Sequence, residues 1–313
     1  MAKSTREAFG ETLARLGKDD PRIVVLDADL SKSTMTAEFA KKFPDRHFEL
    51  GIAEQNMLGV AAGLALCGKV PIAASFACFL IGRLETIRVA VAYNRTNVKM
   101  IGTHAGLGIG EDGASQMGLE DLGALRSLPH ITLLQPADEL ETRQAVEWMI
   151  AHDGPVYLRL TRQKVPDVHA AGYRFRVGVP DCVYGLGGAG KKLAATVIAS
   201  GGTVGPAIDA ARSMARRGFH VRVLNAGTIR PLDEDALEKA AQASLRIVTV
   251  EDHNVVGGLG SAVCEALASR GAPCPVIRLG ARDFGESGTG SELYRKHGLS
   301  ADHVAEACVR NLQ

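Results

Sequence analysis

The sequence predicts an α/β protein of two doubly wound domains with mainly parallel sheets, and three observations carry that expectation. Short β-branched runs alternate with longer helical patterns, the order that gives parallel strands joined by crossover helices. The runs are apolar throughout rather than alternating, as strands covered on both faces must be. The 313 residues suffice for two cores at roughly 150 residues each.

The first series of runs lies at 22–26 (RIVVL), 70–74, 98–102, 131–134 and 156–160, and the second at 195–200, 221–225, 247–251 and 276–279. Helical patterns between them cover 5–16, 54–66, 84–93, 139–151, 204–217, 234–243 and 260–270. Pro166, Pro180 and the glycine-rich stretch 185–190 (GLGGAG) separate the two series. The expected division is a domain at 1–170, a linker at 171–193 and a second domain at 194–313.

A net charge of +1 gives no electrostatic case for nucleic acid or an anionic membrane. The six cysteines are scattered with no C-x-x-C, which argues against a metal or disulfide framework and fits a reducing cytoplasm. The opening MAKSTREAFGETL has no apolar signal region, and no run of about 18 apolar residues occurs, so neither secretion nor a membrane span is expected.

Three segments concentrate reactive chemistry. In 48–66 (FELGIAEQNMLGVAAGLAL), Glu54 opens a helix rich in small residues. The plain reading is a carboxylate favoured by the helix dipole. The functional reading is a carboxylate desolvated at a close interface, which Gly59, Ala61, Ala62, Gly63 and Ala65 would permit, with its pKa raised toward neutrality. In 103–122 (THAGLGIGEDGASQMGLEDL), four early glycines and His104, Glu111, Asp112 and Gln116 follow a strand, where open α/β sheets bind ligands. The alternative is a solvated surface loop. In 74–88, Phe76 and Phe79 are either core aromatics on one helix face or a platform for a heteroaromatic ring.

The ordered series GIAEQNM, SFACF, THAGLGIGEDG and LTRQ resembles the pyrimidine-binding domain of transketolases. The resemblance extends from STREAFGETL to the later EDHNVVGGLGSAV and FGESG, so the second domain resembles the family's C-terminal domain, expected to serve assembly. The fold it implies is a thiamine-diphosphate pyrimidine-binding domain plus a transketolase C-terminal domain.

The resemblance implies that Glu54 is the catalytic glutamate, hydrogen-bonded to N1′ of the cofactor's aminopyrimidine. It implies that Phe76 and Phe79 hold that ring, that His104 contacts the sugar's phosphate end with a catalytic role, and that Asp112 contacts a substrate hydroxyl. Arg6, Ser33 and Arg162 match positions that hold a donor phosphate, and two guanidiniums with a hydroxyl suit a tetrahedral oxyanion. The implied reaction moves a two-carbon unit from a ketose to an aldose. Two positions depart from the family. Gly82 stands where a tyrosine completes the ring pocket, and Gln116 where a second histidine is usual. Glutamine cannot titrate near pH 7, so an altered donor with a phosphate or sulfonate end is open.

The G-D-G motif and following asparagine, which bind Mg²⁺ and the diphosphate in full-length members, have no counterpart here; no metal ligand is expected in this chain. The implied partner is a separate N-terminal transketolase subunit carrying GDG, most simply in an α2β2 heterotetramer. The Gly257–Gly260 turn, opening a helix, is either an anion site or tight strand–helix packing. Competing identities are the beta subunit of a 2-oxo-acid dehydrogenase's decarboxylating component, deoxyxylulose-phosphate synthase, and a non-catalytic assembly partner.

Overall fold

The structure, a computed structural model, describes residues 3–185 and 192–310. Nearly all of the glycine-rich stretch 185–190 therefore lies outside the described residues. The strands, in chain order, are β1 (Lys3–Ser4), β2 (Ile23–Asp27), β3 (His47–Glu49), β4 (Val70–Phe76), β5 (Lys99–Thr103), β6 (Thr132–Leu134) and β7 (Val156–Arg159). They continue as β8 (Lys164–Val165), β9 (Asp181–Tyr184), β10 (Ala195–Ala199), β11 (Val221–Asn225), β12 (Thr228–Arg230), β13 (Ile247–Asn254) and β14 (Val276–Ala281). The larger sheet runs β12-β6-β7-β5-β4-β2-β3 and the smaller β14-β13-β10-β11-β9. Their neighbours pair in parallel except β12 with β6 and β9 with β11.

Helices cover both faces of the larger sheet, and alternate residues of each strand feed two cores. Ile23, Val25, Ile72 and Ile101 meet Phe9, Leu13 and Phe39 on one face. Val24, Leu26, Ala73 and Met100 meet Met57, Leu58 and Val91 on the other. That second cluster continues into Ile198 and Leu224 of the smaller sheet and Leu259 of the helix Leu259–Ser269. Each such buried side chain contributes about 1.5–3 kcal/mol, so the shared core holds the two sheets against each other.

The structure departs from the sequence expectation where chain-distant partners decide. Residues 84–93 do not form one α-helix: Leu84–Thr86 is a single α-turn and Ile87–Tyr93 is π-helical. Asn94 Nδ2 donates to the Val89 carbonyl at 2.8 Å and Thr96 Oγ1 to that of Ala90 at 3.0 Å, holding the wider turn. Thr228–Arg230, within the second series, adds an antiparallel edge to the larger sheet. In the segment 171–193, Asp181–Tyr184 forms an edge strand on β11.

A polar cluster bridges the sheets. Asp138 caps helix Glu139–Ala151 and accepts from His169 Nδ1 at 2.9 Å, while Asn225 Nδ2 donates to both oxygens of the buried Glu141. Burial alone would lower the His169 pKa, but the Asp138 hydrogen bond and the Glu141 charge outweigh it and raise the value. A raised histidine pKa contributes stability that is complete below its unfolded value and lost as pH rises through the folded one. His169→Gln is therefore expected to lower the melting temperature most near about pH 6 and least near about pH 9. A difference from the unmodified chain that does not change over that range would contradict this.

Candidate active site

Glu54 sits at the start of helix Glu54–Leu66, just beyond the irregular turn after β3, and is 3% exposed. Its polar neighbours are distant: Ser75 Oγ, at the end of β4, lies 3.5 Å from Oε1, and Arg83 Nη2 lies 3.7 Å from Oε2. A desolvated carboxylate without a close donor is costly, and an incoming hydrogen-bonding group would relieve that cost. Glu54 lines an open concavity of ≈ 780 Å³ with Ile52, Gln55, Gly59, Arg83 and Thr86. The helix continues outward through exposed Gly59 and Gly63, around whose α-carbons there is nothing within 4 Å of an added Cβ. Ile52, Leu66 and Tyr93 are exposed by 83%, 77% and 81%. Ile52 lines the concavity with Glu54, and Leu66 lies at the far end of the same helix, so apolar exposure along this element marks an uncovered contact face.

Phe76 ends β4 and Phe79 lies in the short helix Ala77–Ile81, so the two are not paired on one helix face. Their rings stack nonetheless, centroids 5.5 Å apart and planes 10° from parallel. On its other neighbour Phe76 stacks with His104 at 3.8 Å.

His104 follows β5 in the left-handed region, φ 55°, a conformation that costs a non-glycine residue about 1–2 kcal/mol. Arg6 Nη1 lies 3.3 Å from its Nε2, and Thr103 Oγ1 lies 2.9 Å from its Nδ1. A guanidinium only donates, so Nε2 accepts and the neutral ring carries its proton on Nδ1, donated to Thr103. Burial, then the Arg6 and Arg162 charges, push the His104 pKa down to about 3. The ring is thus a fixed hydrogen-bonding group rather than a titrating one.

Local structure brings Arg6 and Arg162 to the same place. The STRE segment is a capping box: the Ser4 side chain accepts from Glu7 N, and Glu7 Oε2 accepts from Ser4 N at 2.9 Å. This fixes Arg6 in the first turn of helix Thr5–Leu16. β1 pairs with β8, and Thr161 N donates to Thr5 Oγ1 at 2.8 Å, setting Arg162 alongside. Arg6 Nη1 donates to the Ser33 carbonyl at 2.7 Å, and Arg162 Nη1 to that of Ile109 at 2.7 Å. Asp112 lies 3.5 Å from Arg162. Burial and then the Arg162 charge lower the Arg6 pKa. Two like charges held together in this way suit a dianionic ligand. Gln116, half-buried in the turn Ala114–Gln116, is held by its carbonyl, which accepts from the Cys78 thiol at 3.2 Å.

Sequence reasoning missed three supports of this site. Buried Asp27 accepts from Thr34, Thr36 and Leu30 N, anchoring the helical turn Ser31–Thr34 that bears Ser33. Arg83 beside Glu54 had no signal in the sequence. Asp252, near the end of β13, receives the 104–113 loop; three successive ionisable residues (Glu251, Asp252, His253) in a buried strand were the available clue. The Gly257–Gly260 turn is filled by the chain's own Glu251, which accepts from Leu259 N at 2.6 Å and Gly260 N at 2.8 Å. Burial pushes that carboxyl up to about 7. Among the described residues, no group of three or more His, Cys, Asp or Glu could hold a metal, and no helix is long and apolar enough to cross a membrane.

The profile of the family described as Transketolase, pyrimidine binding domain, matches residues 1–168, and that of Transketolase, C-terminal domain, residues 190–304. A putative transketolase C-terminal section of Methanocaldococcus jannaschii is 40% identical, with 99% of this chain and 97% of that protein covered. The 6-deoxy-6-sulfo-D-fructose transketolase subunit SqwH of Clostridium sp. (strain MSTE9) is 37% identical over 96% of this chain and 92% of that one. Among solved structures, a split gene transketolase described as an inactive beta4 tetramer superposes with a TM-score of 0.88 at 42% identity, covering 100% of this chain and 99% of that one.

Proposed function

This chain belongs to the transketolase family, whose pyrimidine-binding and C-terminal domains it spans, and from that premise we propose how it works as one subunit of a split transketolase. It acts in a heteromer that uses thiamine diphosphate to move a two-carbon ketol unit from a ketose to an aldose. The observation that carries this reading is Glu54: a buried carboxylate, short of donors, at the floor of an open concavity beside an uncovered helix face.

When bound, thiamine diphosphate supplies an electron sink for carbon–carbon bond cleavage. Glu54 would hold a proton against N1′ of the aminopyrimidine, with Phe76 and Phe79 against the ring. The exposed Gly59–Gly63 face, with Ile52, Leu66 and Tyr93, would be covered by the partner. That partner, carrying a GDG motif, would supply Mg²⁺ and diphosphate ligands in an α2β2 assembly working in the cytoplasm. The division into 1–170 and 194–313 joined by 171–193 is supported by matches at 1–168 and 190–304, the second of which begins within the joining segment.

Arg6, Arg162, His104 and the Ser33 turn would hold the anionic end of the donor, phosphate or sulfonate, while Asp112 and Gln116 meet its hydroxyls. The sulfo-sugar named for the Clostridium relative makes a sulfonated ketose a donor to test. Arg162→Ala is expected to raise KM for an anionic donor by roughly 10–100-fold. An unchanged KM would remove Arg162 from the donor site. The whole reading is tested by mixing the chain with a GDG-bearing subunit and assaying ketol transfer. Activity that needs both chains supports it; activity of this chain alone, or pyruvate decarboxylation with a lipoyl acceptor, overturns it.

A further inference from the structure

The loop after β5 is held by both domains: Ala105 N donates to the Leu160 carbonyl and Gly106 N to that of Gly118 within the first, and the second supplies a buried carboxylate. Leu107 N donates to Asp252 Oδ1 at 2.7 Å and Gly108 N to Oδ2 at 3.1 Å. Tyr294 Oη donates to Oδ2 at 2.8 Å, and Gln163 Nε2 donates to Tyr294 Oη at 2.8 Å. Asp252 and Tyr294 come from the second series of elements, whereas Gln163 is next to Arg162. The fit is close: a Cβ on Gly106, whose φ is +83°, would lie 2.3 Å from Asp252 Cγ. A Cβ on Gly108 would lie 1.9 Å from Gln163 Oε1. The loop is therefore pressed onto a carboxylate that is 1% exposed.

We propose that Asp252 is a positioning residue of the reaction, and that with Tyr294 and Gln163 it clamps the 104–113 loop in the shape that presents His104, Asp112 and the Arg162-bound Ile109 carbonyl to the donor. The inference rests on the reading of that loop as donor-facing. It gives the C-terminal domain a part in substrate binding beyond the assembly role expected from sequence. The physical basis is geometric. One carboxyl group accepts from two successive backbone N–H groups and a hydroxyl, three bonds that water would otherwise contest. Asparagine in its place offers a single acceptor oxygen and turns an NH₂ group toward donors. Burial raises the Asp252 pKa, and Arg159, Tyr294 and the two loop amides offset only part of that rise.

The test uses the full chain and then the two-subunit complex. In the full chain, Asp252→Asn is expected to speed amide hydrogen exchange at Leu107 and Gly108 by roughly tenfold, leaving β5 and β13 unchanged. In the complex it is expected to raise KM for the anionic donor roughly tenfold, with kcat within about threefold and thiamine diphosphate affinity unaltered. Tyr294→Phe, which keeps the ring and removes the hydroxyl's bonds to Asp252 and Gln163, is expected to show the same pattern at about threefold and guards against misfolding of the first variant. Unchanged exchange in both variants overturns the clamp. Faster exchange with unchanged KM overturns its positioning role, provided Arg162→Ala raises KM. If Arg162→Ala also leaves KM unchanged, the donor-facing reading of the loop is at fault, and the positioning role falls with it.

Discussion

Glu54→Gln will cut ketol transfer by the assembled enzyme by about 10²–10⁴-fold without lowering the melting temperature of this chain. The two halves of that expectation come from the same geometry. Glutamine keeps the size and shape of the side chain but cannot give up a proton to, or take one from, a pyrimidine nitrogen. Proton transfer by a positioned group supplies rate enhancements of this order, so its loss should appear in kcat. Stability should be spared because Glu54 makes no strong contact within the chain: Ser75 stands at 3.5 Å and Arg83 at 3.7 Å. Arg83 is 43% exposed, so loss of the Glu54 charge strands no buried cation. Proton exchange at C2 of bound thiamine diphosphate, followed by NMR, reads the step directly. Normal exchange and turnover in the variant would show that Glu54 has no catalytic part.

Asp121→Ala is expected to cost about 3–5 kcal/mol of stability, the loss associated with stripping a buried ion pair of one member. Asp121 is fully buried and accepts from Arg159 Nε at 2.8 Å, Arg159 Nη2 at 3.1 Å and Tyr157 Oη at 2.6 Å. Burial alone would raise the Asp121 pKa, but Arg159 and then His253 hold it below the usual carboxylate range. A depressed carboxylate contributes stability above its unfolded pKa that is lost as pH falls through the folded one. Arg159 also donates to the Gly118 and Asp252 carbonyls, so the pair ties the loop, β7 and β13 together. Without Asp121, the guanidinium keeps its bonds to two carbonyls and loses the carboxylate hydrogen-bonded to it. A fall in melting temperature of roughly 5–15 °C by calorimetry is expected. Asp121→Leu combined with Arg159→Met should recover much of it, since a well-packed apolar pair avoids the desolvation cost. A loss below about 1 kcal/mol in the single variant would mean that water enters and solvates Arg159.

Much of the architecture was legible because the physics that sets it is local. The core of every long parallel strand was visible as an apolar run, and helices 5–16, 54–66 and 139–151 start and stop where their patterns do. The short antiparallel edges β9 and β12 were not, because Asp181–Tyr184 and Thr228–Arg230 owe their conformation to partners some 40–100 residues away. The wide turn at Ile87–Tyr93 depends on two side chains downstream of it.

At the site, residue types were readable and their supports were not. Arg6, His104 and Arg162 converge because a capping box, a two-residue strand pair and a threonine–threonine contact act together. None of these is a periodic signal. The glycine turn at 257–260 kept two readings open in the sequence; Glu251, eight residues before Leu259, decides for packing by occupying the amides itself.

A cofactor site shared by two chains is tested most directly by a structure of the chain assembled with its GDG-bearing partner and thiamine diphosphate. The expected result places a Glu54 carboxylate oxygen about 2.5–3.0 Å from N1′, with the diphosphate on the other chain and the Gly59–Gly63 face covered. A Glu54 facing solvent, or a cofactor held entirely by one polypeptide, would contradict it.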